Sequence, residues 1–363
     1  MQQLFSLLLA VFLVGGVIAQ TKQPQSWDED RVQSILNKSV DNKNIFRISI
    51  AISSEEQTAS YSAGTIHHSD PYFLASITKL YTSSVIFSLA DKGLLNLSDP
   101  IQKYLPENTM ENLHILDKKD HASAITLYHL ITNTSGLPDY FEGKDNNGKS
   151  LMDHLKNQGD TLLTFEQMMH ITKSMQPLFP PGEKGRAHYS DGNFQLLGKI
   201  IESITKKPMR EAYQDYIIEP LELQNTYLYS DPGDTSPKTF YHGNHIMSIP
   251  KMMTSFQSDG GIVSTPEEGI QFLKAFFEEK LFSQKHLSLD GPWNKIFSPF
   301  QYGVGMMRFK FPGMPELIGH AGASGSFAYY VAQKKVYIVG SINQINKQDL
   351  VYKLIGKILR EIK

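Results

Sequence analysis

The chain has 363 residues, of which 40% are hydrophobic and 20% charged, and it contains no cysteine. Its 35 lysines and arginines against 37 aspartates and glutamates give a net charge of −2, which provides no general attraction to nucleic acid or acidic membranes. The absence of cysteine excludes disulfides, thiolate nucleophiles, iron–sulfur clusters and cysteine-rich zinc sites. The composition is that of a globular protein with a sizeable core.

The first nineteen residues are predicted to be a signal peptide. An apolar run over 4–14 is followed by two glycines and by Val17 and Ala19 at the positions that a signal peptidase reads. The run departs from the usual pattern because no lysine or arginine precedes it. It is shorter than the roughly 20 residues that span a bilayer. We therefore expect export to the periplasm or the extracellular space, without stable membrane insertion after cleavage.

Strand patterns lie near both ends of the remaining chain. Residues 46–52 alternate between apolar and polar side chains, as in a half-buried strand, and 57–63 is the expected hairpin partner. Two further β-rich runs cover 326–332 and 336–342. The chain then finishes with a predicted helix over 349–362, where apolar residues recur at helical spacing.

Between these ends the chain is predicted to be mainly helical. Helical spacing marks 193–205, and Thr265 with a proline after it begins another helix. The sequence thus predicts an α+β fold, with an antiparallel sheet built from both chain ends, flanking helices and a mainly helical inserted domain. We expect the sheet domain to span 20–100 and 255–363, the helical domain 101–254, and the active site to lie at their interface.

A serine three residues before a lysine occurs three times, at 76–79, 203–206 and 248–251. On a helix this spacing places the hydroxyl and the amine on one face, so a neutral amine can accept the hydroxyl proton. The second copy ends a solvated helix and the third contains a proline, whereas the first opens an apolar stretch. In that stretch Lys79 is the only charged residue over twenty positions. Ser76 is therefore the candidate nucleophile, the alternative being that Lys79 merely extends to the surface.

Two further motifs follow, Tyr-Ser-Asp at 189–191 and His-Ala-Gly at 320–322. With 76–79 they have the order and approximate spacing of the three motifs of the serine β-lactamases and penicillin-binding proteins. The chain resembles the class C-like branch of that superfamily, which also contains D-alanyl-D-alanine carboxypeptidases, D-amino-acid peptidases and esterases. Connecting segments typical of the branch occur at 130–138 and 258–265. The resemblance covers nearly the whole chain and implies a β-lactamase/transpeptidase-like fold.

The resemblance also implies roles for individual residues. Ser76 is the acylated nucleophile and Lys79 its proton acceptor, while Tyr189 shuttles a proton to the leaving group and helps to activate the hydrolytic water. The backbone N–H groups of Ser76 and Ala323 form the oxyanion hole. A tyrosine acts as a base only if nearby cations favour its anion, and Lys79 with His320 is expected to supply that field.

Two departures from the family pattern bear on the substrate. Asp191 stands where the second motif normally has asparagine, and as a carboxylate it would hold Lys79 protonated and shift the role of base toward Tyr189. His320 stands where β-lactamases usually carry lysine, and histidine is only partly charged near neutral pH. A substrate carboxylate beside Gly322 thus loses a permanent counter-charge, which favours peptidase or esterase action over efficient β-lactam hydrolysis.

The sequence therefore predicts an exported serine hydrolase that acts through an acyl-enzyme on a small peptide, amide or ester. A D-amino-acid peptidase, carboxypeptidase or esterase is favoured. A β-lactamase, a non-catalytic penicillin-binding-like scaffold or sensor and, least favoured, a metal hydrolase remain as alternatives. No cofactor, metal or nucleic-acid partner is expected. Five aromatic residues are suited to line a substrate cleft, but aromatic residues more often belong to the core, so they receive no assigned role: Tyr140, Phe141, Tyr227, Phe240 and Tyr241.

Overall fold

The protein is described from a computed structural model that covers residues 26–144, 148–151, 153, 159–345 and 347–363. The predicted signal peptide at 1–19 lies outside the described residues. Across the described ranges, no helix combines the length and the apolar character needed to cross a bilayer.

The largest element of the described chain is an antiparallel sheet of eight strands. In side-by-side order its strands are β10 (Asn294–Phe297), β11 (Phe300–Tyr302), β12 (Met307–Phe309), β13 (Leu317–Ala321), β14 (Ser326–Val331), β15 (Val336–Ser341), β1 (Arg47–Ser53) and β2 (Thr58–Gly64). Strands β1 and β15 are neighbours, with Ser49 opposite Ser341 and Ile50 opposite Gly340. The predicted antiparallel sheet built from both chain ends is therefore confirmed.

Shorter strands lie outside this sheet. A three-stranded sheet has the order β3 (Tyr72–Phe73), β9 (Ile262–Ser264) and β6 (Tyr227–Leu228). Two hairpins pair β4 (Ile115–Leu116) with β5 (Lys119–Asp120) and β7 (Phe240–His242) with β8 (His245–Met247). The pairing of β3 with β9 joins the segment just before the first motif to the segment at 258–265, which the sequence analysis linked to the same family.

Helices cover the sheet and fill most of the chain between its two groups of strands. They are α1 (Glu29–Ser39), α2 (Thr78–Asp91), α3 (Glu107–Met110), α4 (Leu127–Ile131), α5 (Phe165–Ser174), α6 (Asp191–Thr205), α7 (Met209–Tyr213), α8 (Pro250–Ser255), α9 (Pro266–Phe277) and α10 (Gln348–Glu361). A π-helical turn, Gln214–Ile218, continues α7. The α+β fold class is confirmed, whereas the boundaries of the two predicted domains remain a prediction.

Both faces of the sheet are covered. Helix α9 packs on one face, where Gly269 lies against Val339 of β15. Helix α10 packs on the other face, where the ring of Tyr352 is 5.0 Å from that of Phe309. The alternation in 46–52 predicted a half-buried strand, but all seven residues of β1 are buried. The difference arises because alternation detects one covered face and cannot show that a second helix covers the other.

Helix α2 is buried along almost its whole length, from Thr78 to Leu89. Three of its serine hydroxyls are satisfied within the helix, because Ser83, Ser84 and Ser88 each donate a hydrogen bond to the carbonyl four residues earlier. A helix that satisfies its own polar groups can run through an apolar core. The buried helix predicted after the first motif is confirmed.

Candidate active site

Ser76 and Lys79 lie where the chain enters the buried helix. Ser76 is part of a 3₁₀ turn, Ala75–Ile77, and Lys79 lies in the first turn of α2. The Lys79 ammonium is fully buried and donates a hydrogen bond to Ser76 Oγ at 3.2 Å. Ala75 has a φ of +48°, a conformation that strains a residue with a side chain. The first motif is therefore held as a tight turn, with its hydroxyl and amine in contact.

The other two Ser-x-x-Lys copies lack this geometry. Ser203 lies near the end of α6, in the last turn before Thr205. Ser248 precedes α8, which begins at Pro250, so Ser248 and Lys251 do not share a helix. Of the three copies, the one at 76–79 lies at the beginning of a buried helix.

The buried ammonium of Lys79 has two further partners. Asp191 Oδ1 is 2.5 Å from Nζ, and the backbone carbonyl of Asp259 accepts a hydrogen bond from Nζ at 2.7 Å. Burial by itself lowers the pKa of Lys79, but the charges of Asp191 and Asp259 outweigh burial and raise it. A raised pKa favours the ammonium form of Lys79. This is the direction that the sequence analysis expected from an Asp191 carboxylate beside the lysine.

The segment at 130–138 supports the second motif. Asn133 Oδ1 accepts hydrogen bonds from the backbone N–H of Ser190 at 3.1 Å and from Asn193 Nδ2 at 2.8 Å. Just beyond this segment, Asp139 Oδ1 accepts a hydrogen bond from the backbone N–H of Asp191 at 2.9 Å. These contacts fix the N-terminus of α6 and so direct the Asp191 carboxylate toward Lys79.

Tyr189 lies beside this ion pair. Its ring centroid is 5.1 Å from Lys79 Nζ, and its buried hydroxyl has no hydrogen-bond partner of ordinary geometry in the described part of the chain. Burial and then the negative charge of Asp191 raise the pKa of Tyr189 well above its usual value. A raised pKa favours the protonated phenol at rest, so it does not support Tyr189 as the resting base, and that role stays a prediction.

His320 is fully buried in β13, behind Tyr189. Its ring is 6.3 Å from the Tyr189 ring, its Nδ1 is 2.7 Å from the carbonyl oxygen of Ala321, and its Nε2 is 3.3 Å from the Tyr302 hydroxyl. Burial, and then the charge of Lys79, lower the pKa of His320 well below its usual value. A lowered pKa favours the neutral imidazole, so it does not support His320 as a source of positive charge, and that expectation stays a prediction.

The third motif ends strand β13 with His320 and Ala321, and Gly322 begins the turn to β14. Ser326 Oγ donates a hydrogen bond to the Leu74 carbonyl at 2.7 Å, which joins this turn to the one that carries Ser76. Gly322 has no room for a side chain, because an added Cβ would lie 2.2 Å from Ser326 Oγ and 2.4 Å from the Leu74 carbonyl oxygen. Ala323 consequently reaches the wall of the same cavity as Ser76.

An open cavity lies beside Ser76. Its charged lining residues are all acidic, and none of the described residues that line it is lysine, arginine or histidine. The lining residues are Ala75, Ser76, Phe141, Glu142, Asp191, Phe240, Met247, Ile249, Met253, Phe256, Asp259, Gly260, Ala323, Ser324 and Ile345. Of the predicted site residues, Ser76, Asp191 and Ala323 reach the cavity, while Lys79 and His320 lie behind its surface.

Two buried aspartates escaped the sequence analysis. Asp259 Oδ2 accepts a hydrogen bond from the Tyr140 hydroxyl at 2.6 Å, and burial together with the Asp191 charge raises the pKa of Asp259 to about 7. The same two causes raise the pKa of Asp139 well above its usual value. Asp259 lies within the segment at 258–265, and Asp139 directly follows the segment at 130–138. Their positions in or beside these two segments were therefore the one signal by which the sequence could have marked them as site residues.

The family comparison places almost the whole chain in one family. A family model described as Beta-lactamase matches residues 32–354. Teichoic acid D-alanine hydrolase from Staphylococcus aureus is 24% identical over 299 residues, which cover 80% of this chain and 67% of that protein. The D-alanyl-D-alanine-carboxypeptidase/endopeptidase AmpH from Escherichia coli is 24% identical over 294 residues, covering 76% and 71% of the two chains.

Solved structures share the fold at low sequence identity. The D-stereospecific amidohydrolase from Streptomyces sp. has a TM-score of 0.74 and 22% identity, with coverage of 90% of this chain and 98% of that one. The D-amino acid amidase from Ochrobactrum anthropi SV3, complexed with L-phenylalanine, has a TM-score of 0.75 and 19% identity, with coverage of 92% and 98%. These similarities establish the β-lactamase/transpeptidase-like fold.

Proposed function

The chain belongs to the Beta-lactamase family and is a serine hydrolase, and from this premise we propose that it is an exported enzyme that cleaves amide or ester bonds of D-amino-acid compounds. Ser76 carries the acyl group. The single observation behind the proposal is the contact of 3.2 Å between the Lys79 ammonium and Ser76 Oγ, at the wall of an open cavity. The relatives named for hydrolysis of D-alanine bonds, and the amidases of the same fold, support the substrate class.

In the acylation step Ser76 Oγ attacks the substrate carbonyl carbon and its proton passes to the neutral amine of Lys79. The N–H groups of Ser76 and Ala323 stabilise the oxyanion. The bond from carbon to the leaving nitrogen or oxygen then breaks, and the protonated Tyr189 hydroxyl donates its proton to that atom. Tyr189 recovers a proton from the Lys79 ammonium. Because Asp191 favours the ammonium form, the reactive fraction of enzyme, with neutral Lys79, increases as the pH rises.

Water completes the reaction in the second step. It attacks the ester carbonyl of the acyl-enzyme, a proton of the water passes through the same groups to Ser76 Oγ, and the free acid leaves. This order requires Tyr189 to keep its proton at rest, which agrees with the direction of its pKa shift. The proposal therefore assigns Tyr189 as a proton donor to the leaving group.

Active-site labelling tests the assignment of Ser76. The folded protein is incubated with a fluorophosphonate and, separately, with a fluorescent penicillin, and the adduct is located by mass spectrometry. We expect a fluorophosphonate adduct on Ser76 that Ser76→Ala abolishes. Ser203→Ala is the matched control, since Ser203 has the same Ser-x-x-Lys context at the end of α6, and it should label like the wild type.

The same experiment separates the alternative functions. A long-lived penicilloyl adduct would support a peptidase, whereas rapid release of the penicilloyl group would support a β-lactamase. Absence of any adduct on Ser76 with both probes, in protein that is folded by circular dichroism, would contradict the hydrolase proposal and favour a scaffold or sensor.

A further inference from the structure

The cavity beside Ser76 has one apolar wall. The rings of Phe141 and Phe256 meet edge to face with centroids 5.4 Å apart, and Phe240 and Met253 line the same cavity. Aromatic rings and flexible thioethers form surfaces that bind apolar side chains of varied shape. The cavity is therefore suited to a substrate that carries an apolar or aromatic side chain near the scissile bond.

The rest of the cavity is acidic and has no counter-charge for an anion. Its charged lining residues are Glu142, Asp191 and Asp259, with no cation among the described residues that form the wall. Lys79 is fully buried, and its ammonium is already bound by Asp191 at 2.5 Å and by the Asp259 carbonyl at 2.7 Å. A substrate carboxylate beside the scissile bond would meet like charges and lose its hydration, which opposes binding.

Glu142 differs from the other two acidic residues because its carboxylate is available. Asp191 is paired with the buried lysine, and the buried carboxyl of Asp259 is bound by Tyr140. Glu142 is exposed, and none of the residues that the structure describes makes an ion pair or hydrogen bond with its side chain. Glu142 also directly follows Phe141, so its carboxyl group borders the apolar wall. Burial and then the charge of Asp191 raise the pKa of Glu142, and a bound ammonium group would act in the opposite direction.

On the basis of the proposed hydrolase activity, we propose that the site selects aminoacyl amides, esters and peptides whose first residue has a free ammonium group and an apolar side chain. The ammonium pairs with Glu142, and the side chain packs against Phe141 and Phe256. The acyl carbon bonds to Ser76 Oγ as its bond to the leaving nitrogen or oxygen breaks, and water then releases the free amino acid. The enzyme therefore acts at the amino end of its substrate, and a terminal carboxylate is excluded.

Paired substrates test this selectivity. D-Phenylalanine p-nitroanilide has a free ammonium group, and its N-acetyl derivative has none. The wild type is expected to show the higher kcat/KM with the free amine, and Glu142→Gln is expected to lower the ratio of the two values about five-fold or more. A purely structural role of Glu142 would lower both values together. Glu55→Gln, an exposed change on the turn between β1 and β2, is the matched control and should keep the wild-type ratio.

Binding to the Ser76→Ala variant separates recognition from chemistry. Calorimetric titration is expected to show tighter binding of D-phenylalaninamide than of N-acetyl-D-phenylalaninamide, with the difference reduced when Glu142→Gln is added. Equal affinities for the two amides, or a kinetic ratio that Glu142→Gln leaves unchanged, would overturn the ammonium selectivity. Selective binding by a protein that hydrolyses neither anilide would support the selectivity and overturn the hydrolase proposal alone.

Discussion

The ion pair with Asp191 favours the protonated form of Lys79, the residue that contacts the reactive Ser76. At 2.5 Å and with the lysine fully buried, the carboxylate raises the pKa of Lys79 although burial alone lowers it. An asparagine at position 191 would contribute a hydrogen bond and no charge. The identity of this one side chain therefore decides at which pH the amine becomes able to accept a proton from Ser76.

Asp191→Asn is expected to shift the acidic limb of the pH–rate profile. Removal of the carboxylate leaves burial as the dominant effect on Lys79, so the lysine pKa falls and the neutral amine is present at lower pH. The limb of kcat/KM should move to lower pH by about one unit or more, since a nearby opposite charge shifts a pKa by roughly that amount. The measurement is the pH dependence of hydrolysis of an uncharged ester.

Asp290→Asn is the control for this change, because Asp290 is exposed and outside the residues that line the cavity. Its profile should match the wild type. An acidic limb that stays in place in Asp191→Asn, or that moves to higher pH, would contradict the assignment of Lys79 as the proton acceptor.

At the scale of elements, the site depends on how closely two turns approach each other. The turn that carries Ser76 and the turn after β13 are joined through Ser326 and the Leu74 carbonyl. Gly322 is the residue that permits the contact, since it has no side chain to separate the turns. The distance between the nucleophile and Ala323 is thus fixed by backbone packing.

Gly322→Ala is expected to reduce activity more than stability. The added methyl group would lie 2.2 Å from Ser326 Oγ and 2.4 Å from the Leu74 carbonyl oxygen, so the two turns must separate. We expect kcat/KM to fall about ten-fold or more, because small displacements of reacting groups are costly. The free energy of unfolding should fall by about 1–3 kcal/mol, as for other overpacked sites. Ester hydrolysis and urea unfolding provide the two measurements.

Gly356→Ala in α10 is the matched control. There the added methyl would meet the Sδ atom of Met314 at 3.2 Å, and that atom belongs to a flexible side chain that can move. Wild-type kcat/KM is expected for this variant. If Gly322→Ala also keeps wild-type activity, the two turns are not required to approach as closely as described.

The sequence predicted the long, periodic elements and missed the short ones. The predicted helix over 193–205 is observed as α6, and it begins two residues earlier because the motif residue Asp191 adds nothing to the apolar pattern. Strands β10 to β12 were not predicted, since each has only three or four residues and cannot display a period. Short elements depend on contacts with distant parts of the chain, which a local pattern does not contain.

In the site, too, contacts between residues close in sequence were predictable, whereas contacts between distant segments were not. The contact of Ser76 with Lys79 follows from spacing on a helix, so it was predictable. The apolar wall was anticipated only in part, because Phe141 and Phe240 were among the aromatic residues suited to line a cleft, whereas Met253 and Phe256 gave no such signal. The lowered pKa of His320 was also hidden, since it depends on complete burial in the folded sheet.

At the scale of the whole molecule, the buried carboxyl groups link stability to pH. Asp259 has a pKa of about 7 in the folded protein, against an ordinary value near 4 in the unfolded chain. A raised pKa means that the folded state binds the proton more tightly. The resulting stabilisation is complete below about pH 4 and is lost as the pH rises toward 7.

Asp259→Asn is therefore expected to remove part of this pH dependence. The amide keeps an acceptor for the Tyr140 hydroxyl but has no carboxyl proton to lose. Between pH 5 and pH 7 the free energy of unfolding of the variant should improve relative to the wild type by up to about 1 kcal/mol per pH unit. Urea unfolding at several pH values measures the difference. Parallel curves for the two proteins would contradict a raised pKa at Asp259, and Asp290→Asn should parallel the wild type.

The pairing of β1 with β15 has a consequence for the order of events in the life of the chain. Strand β1 is made early, but its partner leaves the ribosome roughly three hundred residues later. Closing so long a loop delays folding, so the sheet cannot be completed before β15 has been synthesised. If the proposed export is correct, a translocation channel that threads extended chains would meet this chain before β1 has paired with β15.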